Sequence, residues 1–465
     1  MEGSRPPSVE RLLAAARPGL GERDHEAVVA VARDVVSDER ARLAGGSAAS
    51  EIDTLAADLV GRLAAFDGPS NGAVRADKPV EAATRVINAT GVLLHTNLGR
   101  ASWPAAAIRA AAEAAAAPSL LELDRSTGRR GARSRAAEEH LIALTGAEDA
   151  FVTNNNAAAL ALAVGLAGRG GRAIVSRGEL VEIGGGVRIP DIIRRAGARL
   201  IEMGTTNRTR VEDFEEALAD GGARLVLRVH PSNFVQSGFV ETPDPAGVAE
   251  AAHRHGAVLV DDLGSGALLA TEAFGLAHEP TPRERLEAGA DLVTFSGDKL
   301  VGGPQAGLVV GRADLIKRLR RDPLARAMRP DKATMAAVAA TLALYRGGRA
   351  AQEIPLWRMV AASLEDLRAR AERLASAIAA GDRATTAEMR STLGGGSLPG
   401  ETLPSWGVVA TARSADRLAA AIRAGTPAVI ARIEDGRVAI DLRTVDPSDD
   451  AALAEILARA LAFVA

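Results

Sequence analysis

Asp291-Leu-Val-Thr-Phe-Ser-Gly-Asp-Lys-Leu-Val-Gly-Gly-Pro-Gln-Ala-Gly307 is an apolar run that breaks into a loop bearing Ser296, Asp298 and Lys299, then into a glycine-rich stretch. Short apolar runs bounded by turn residues read as buried strands, which puts Lys299 just beyond a strand end. An ammonium withdrawn from water at such a place gives up its proton more readily than one on the surface, and a Schiff-base nucleophile needs that. Gly297, Gly302, Gly303 and Gly307 let the backbone approach a bound cofactor. The plainer reading of the same pattern is a lysine on a surface loop.

Working outward, aliphatic runs at 150–153, 173–176, 199–203, 225–229, 258–262 and 292–295 alternate with helix-like sequence. Such alternation implies an α/β fold with a mainly parallel sheet covered by helices on both faces. Residues 313–382 read as one long helical region. Strands at 407–411, 428–433 and 438–442 follow, the last two joined by a hairpin turn at Glu434-Asp435-Gly436-Arg437. At the other end, 8–43 and 51–66 carry apolar residues at helical spacing, broken at Gly45-Gly46-Ser47, and 67–79 reads as a linker. The expected domains are a helical module with linker over 1–78, a large domain over 79–335 and an α+β domain over 336–465.

Composition sets outer bounds. The chain has 465 residues, 47% of them hydrophobic, enough for several cores, and its net charge of −3 excludes a uniformly cationic coat for nucleic acid. Any polyanion must therefore meet a local patch. There is no cysteine, which excludes disulfides, thiolate metal sites and a cysteine nucleophile, and points to the cytoplasm. Neither an export signal nor a membrane-spanning run is legible. Only four lysines occur (Lys78, Lys299, Lys317, Lys332), so the basic charge is almost all arginine. Two segments are locally basic: 125–135, with five arginines and no acid, and 312–329, with seven basic residues against Asp314 and Asp322. Within the second, Arg326 and Arg329 lie shortly after the lysine loop, where a bidentate anion clamp would be useful.

Two further segments carry chemistry. Gly256-Ala-Val-Leu-Val-Asp-Asp-Leu-Gly-Ser-Gly266 is a strand ending in two aspartates. A carboxylate at that end can hold a pyridine nitrogen protonated and make the ring an electron sink. Asp261, the first acid after the apolar run, is the expected partner; a magnesium or capping pair is the alternative. Phe151-Val-Thr-Asn-Asn-Asn-Ala157 breaks from a strand into helix-capping residues, so Thr153, Asn154, Asn155 and Asn156 could cradle a phosphate at a helix N-terminus, with Ser296 adding a hydroxyl. Competing cofactors are not supported. No lysine follows glycines as a nucleotide-binding loop requires, and Gly168-Arg-Gly-Gly171 precedes a strand instead of following one. His253, His255 and His140 lack metal-binding spacing. Phosphate cup, strand-end aspartate and strand-end lysine follow one another as in the fold-type I pyridoxal-phosphate enzymes.

At finer grain, the segments 85–101 (Arg-Val-Ile-Asn-Ala-Thr-Gly-Val-Leu-Leu-His-Thr-Asn-Leu-Gly-Arg-Ala), 176–185, 204–208, 230–233, 260–266 and 295–307 resemble the bacterial selenocysteine synthases, and the likeness runs essentially end to end. The resemblance implies a pyridoxal 5'-phosphate enzyme that turns L-seryl-tRNA(Sec) into selenocysteinyl-tRNA(Sec) with selenophosphate, through a dehydroalanyl-tRNA. It further implies that Lys299 carries the cofactor, that Asp298 is its active-site neighbour, and that Arg100, Arg326 and Arg329 bind the selenophosphate-type donor. The family's N-terminal module recognises tRNA, and its members form a homodecamer. Here residues 1–78 hold ten basic and thirteen acidic groups, so positive charge for tRNA must come from one face of the module, from 125–135 or from other subunits. Two other readings stay open: a pyridoxal-phosphate lyase or aldolase on a small amino acid or amino-sugar acid, which would have no use for the module, and a catalytically silent tRNA-binding relative.

Overall fold

Capping residues and apolar spacing set the N-terminal elements. In the computed structural model, which describes residues 5–64, 85–130 and 135–464, helices run Val9–Ala16, His25–Ala44 and Ile52–Ala64. The first two open on Ser8, which accepts from Arg11 N at 3.2 Å, and Asp24, which accepts from Ala27 N at 2.9 Å. Leu12, Val28, Ala32, Val35, Leu55 and Leu59 close a core of their own. These helices lie in one of two compact units, Met1–Val86 and Ile87–Ala465. The expected linker and the 78/79 boundary lie outside the described residues.

The strands in chain order are β1 (Val86–Ala89), β2 (Asp149–Thr153), β3 (Arg172–Ser176), β4 (Arg199–Met203), β5 (Ala223–Val229), β6 (Val258–Gly264), β7 (Leu292–Ser296), β8 (Gly307–Gly311), β9 (Ala384–Thr392), β10 (Thr402–Ala410), β11 (Ala428–Glu434) and β12 (Arg437–Asp441). Strands β2 to β8 form one sheet in the order β2-β8-β7-β6-β5-β3-β4. Neighbours among β3 to β7 pair in parallel, whereas β8 runs antiparallel to both β2 and β7. The loop between β7 and β8 is too short for the crossover that a parallel return needs. From sequence alone the stretch reads as a glycine-rich loop, with no strand.

Period-two alternation gives this sheet two apolar faces. Val226, Leu259, Val293 and Phe295 face the helices Ala136–Thr145, Val211–Leu218, Pro245–Arg254 and Lys332–Arg346. Leu227, Val229, Val260 and Leu292 face Asn156–Gly165, Ile189–Arg195 and Ala313–Arg321. The expected single helical stretch over 313–382 is divided, with Pro323 and Pro355 each opening a new helix.

The second sheet has the order β1-β11-β12-β10-β9, backed by Leu364–Ile378 and Asp450–Phe463. Ile87 and Ala89 of β1 are buried in its core, so the chain lays down an edge of this C-terminal sheet before it enters the large one. Among the described residues no helix is long and apolar enough to cross a membrane.

Candidate active site

The loop after β7 brings Lys299 against two glycines. Its Nζ donates to Gly396 O at 3.4 Å. A Cβ on Gly396 would stand 3.3 Å from Nζ, and one on Gly264 3.7 Å. Gly396 has φ +74°, a conformation that glycine adopts without strain. Burial pushes the Lys299 pKa below the ordinary 10.5, Asp262, Asp298 and Glu279 pull against that shift, and Arg100 adds to it. The amine therefore gives up its proton more readily than an exposed lysine does.

The two aspartates of β6 point to opposite faces. Asp262 lies level with Thr294 of β7 and Val229 of β5. Its Oδ1 accepts from Thr294 Oγ1 at 2.9 Å and from Asn156 Nδ2 at 2.8 Å. Burial raises its pKa, opposed by these two hydrogen bonds and by Lys299. Asp261 lies level with Arg228 and Val293, on the other face, with Arg285 Nε 3.6 Å from its Oδ2. Arg228 is itself paired with Glu179 at 2.7 Å. The structure thus sets Asp261, the acid expected to partner a ring nitrogen, on the face away from Thr294 and Asn156, whereas Asp262 is the one that they hold. Counting from the end of an apolar run ignores which face the helix Asn156–Gly165 covers, and that helix covers the face of Asp262.

The turn from β2 into this helix does less with side chains than its composition suggested. Thr153 Oγ1 lies 2.9 Å from Asn155 O and 3.2 Å from Gly307 O, so its hydroxyl ties the end of β2 to the start of β8. Gly307 is required there, because a Cβ would come within 2.1 Å of Asn155 O. Asn154 N donates to Met328 O at 2.8 Å. Asn155 caps the helix, accepting from Ala158 N at 2.9 Å. Asn156 holds Asp262, while its own Oδ1 is buried without a hydrogen-bond partner. What the turn can offer an anion is the first N–H groups of the helix, which lack acceptors within it.

Asp298 is buried and joins two expected site residues. Ser296 Oγ donates to its Oδ1 at 2.6 Å and Arg100 Nη1 to its Oδ2 at 2.8 Å. The Ser296 hydroxyl hydrogen is thereby taken, and Arg100 is brought to the lysine loop. Arg100 has φ +61°, uncommon for a residue with a side chain and a cost tolerated where position matters. Arg326 and Arg329 flank Met328 and so are tied to the Asn154 turn. Arg326 is exposed and Arg329 pairs with Glu122 at 2.9 Å, and no described hydrogen bond or ion pair carries either to Lys299. The Gly396 loop and the side-chain role of Asn156 toward Asp262 escaped sequence reading. Gly394-Gly395-Gly396 was the only signal of the first, and the second had none.

These residues suit pyridoxal phosphate: a desolvated lysine, a buried carboxylate whose charge bears on it, a helix N-terminus, and the buried, unmatched Oδ1 of the Asn156 that holds this carboxylate. Sheet and site together define a fold-type I pyridoxal-phosphate-dependent enzyme. Among solved structures, the chain is similar to D-glucosaminate-6-phosphate ammonia-lyase, with TM-score 0.59 and 24% identity over 82% of this chain and 96% of that one, a likeness of fold. Residues 86–446 match the family model for L-seryl-tRNA selenium transferase, and the chain belongs to that family. Its relatives include the L-seryl-tRNA(Sec) selenium transferases of Rhizobium meliloti (strain 1021), 44% identical over 96% of this chain and 95% of the relative, and of Moorella thermoacetica, 42% identical over 98% and 96%.

Proposed function

We propose that this protein converts L-seryl-tRNA(Sec) to L-selenocysteinyl-tRNA(Sec), with pyridoxal 5'-phosphate as cofactor and selenophosphate as selenium donor. The observation that carries the reading is the desolvated Lys299 under the influence of the Asp262 charge, within a chain that matches the family along nearly all its length. Pyridoxal phosphate, when bound, supplies an electron sink for the pair left when the serine Cα loses its proton. Lys299, uncharged, takes that proton from Cα. Asp262 holds a proton at the pyridine nitrogen, and Asn156 and Thr294 fix the carboxylate for the task. The N-terminus of Asn156–Gly165 binds the cofactor phosphate with backbone N–H groups, Asn155 having shaped the turn.

Asp298 orients Arg100, which with Arg326 and Arg329 binds the phosphate-bearing donor; the backbone of Met328, between the last two in sequence, accepts from Asn154 N in the turn before the helix. In this reading residues 1–78 recognise tRNA, 79–335 bind the cofactor and 336–465 form the smaller domain, in a cytoplasmic homodecamer. With no cysteine in the chain, selenium does not pass through a protein persulfide. A small-molecule lyase is the weaker reading, since the ammonia-lyase likeness covers 82% of the chain and the transferase likeness 98%. The test supplies purified holoprotein with selenophosphate and either seryl-tRNA(Sec) or seryl-tRNA(Ser), and measures selenocysteinyl ester. Conversion of the first alone is expected; activity on free serine without tRNA would favour the lyase.

A further inference from the structure

The face of the sheet that carries Asp261 borders a cavity of about 760 Å³ for which the reaction above has no use. Three segments by which the chain resembles its family, none yet given a role, converge there, through Glu179, Arg208 and His230. Six carboxylates and three arginines line the cavity, so its interior suits an uncharged group that offers a hydrogen-bond donor, with any attached phosphate left outside. Glu279 makes that demand specific. It is 3% exposed, its Oε1 has no hydrogen-bond partner, and His230 Nε2 stands 3.4 Å away. A buried carboxylate oxygen left without a donor is costly, and a ligand that brings one relieves the cost.

The cavity adjoins the lysine. The loop that lines it with His230 and Phe234 also carries Ser232, whose Oγ would stand 3.4 Å from a Cβ on Gly264 and 3.7 Å from one on Gly396. These are the two glycines against Lys299 Nζ. Gly396 accepts from Lys299, and Leu398, two residues on, lines the cavity. A molecule seated here would have one end beside the reacting amine.

We propose that this cavity seats the 3'-terminal adenosine of the aminoacyl-tRNA, its exocyclic amine donating to Glu279 Oε1 and its ring lying against Phe234, so that the ester extends toward Lys299. The inference rests on the reading that the substrate is an aminoacyl-tRNA. An exocyclic amine is the natural partner of a carboxylate at a base edge, and unstacked bases settle on aromatic side chains. Because every tRNA ends in adenosine, the cavity positions the reacting end and leaves tRNA identity to other surfaces.

The test uses holoprotein and two stable mimics, the 3'-serylamide of 3'-amino-3'-deoxyadenosine and its inosine counterpart, which has a carbonyl where adenine has its amine. Calorimetric titration should show the adenosine compound binding roughly tenfold tighter. Glu279→Gln, whose amide can donate to the inosine carbonyl, should erase or reverse the preference, and Phe234→Ala should weaken both compounds alike. Equal affinities in the unaltered protein, no binding of either compound, or an unchanged preference in Glu279→Gln overturns the inference. Conversion of seryl-tRNA(Sec) in the same preparation keeps the two readings apart: normal conversion without adenosine preference sinks only the cavity assignment. Failure to convert any seryl-tRNA sinks the functional reading, while the titrations still decide whether the cavity takes a purine.

Discussion

Asp261 and Asp262 are consecutive residues on one strand, each 4% exposed, yet they belong to different environments. Asp262 shares its face with Thr294 and the helix that begins at Asn156, and its charge bears on Lys299. Asp261 shares its face with Arg228, Arg285 and the cavity of Glu279. Two identical side chains, 3.8 Å apart along the backbone, are thus given different chemistry by strand alternation alone. A carboxylate's neighbours, more than its place in the sequence, decide what it can do.

The bluntest way to test this contrast is to remove what Asp262 faces. Lys299→Ala should lower selenocysteinyl-tRNA formation by on the order of 10³-fold or more, since both covalent attachment and proton transfer are lost. A cofactor absorbance band that responds to borohydride in the parent protein should no longer do so. Retained activity would move the chemistry to another residue.

Next comes the pair itself. Asp262→Asn should reduce kcat/KM by on the order of 10²-fold, as expected when a preorganised charge is withdrawn from a reacting system. Asp261→Asn should cost less than about tenfold in kcat/KM, because its contact with Arg285 at 3.6 Å lies on the face of the sheet away from Asp262 and Thr294. Equal losses in the two variants, measured with seryl-tRNA(Sec), would break the comparison.

A smaller effect lies in proton affinity. Burial lowers the Lys299 pKa, so between that lowered value and the ordinary 10.5 the unfolded chain binds a proton the folded chain does not, and stability rises with pH across the window. Asp262 opposes the lowering; Asp262→Asn should therefore move the Lys299 pKa further down and extend the window to lower pH, while Asp261→Asn should leave it in place. With four lysines in the chain, reductive-methylation rates against pH, read lysine by lysine in cofactor-free protein by mass spectrometry, follow the midpoint directly. The smallest change concerns the turn behind Asp262. Thr153→Val should cost about 1 kcal/mol of stability through the lost tie between β2 and β8, with kcat/KM changed by less than about twofold. A much larger loss of rate would restore Thr153 to the phosphate site.

Much of this was legible without coordinates, for reasons that individual elements show. Runs such as 173–176 read correctly as strands because a buried parallel strand is apolar on both faces, and its helices announce themselves by spacing and caps. Lys299 was legible because lysine beyond a buried strand, followed by glycines, is a conspicuous combination. What escaped notice was non-local. β8 hid in a glycine-rich stretch, and β1 gave no hint that Ile87 and Ala89 would complete a sheet made mostly from residues beyond 384.

By itself, then, the order of residues determined the parallel-sheet architecture, the lysine just beyond a buried strand and the family to which the chain belongs, since these depend on local periodicity and on side-chain types at short spacing. Tertiary structure alone decided that Asp262 and not Asp261 stands with the lysine, that Thr153 and Ser296 spend their hydroxyl hydrogens within the protein, and that distant segments enclose the cavity around Glu279. The physical reason is that hydrogen bonds and Coulomb interactions act over a few ångströms of space, and residues a hundred or more positions apart become neighbours only when the sheet and its covering helices have packed.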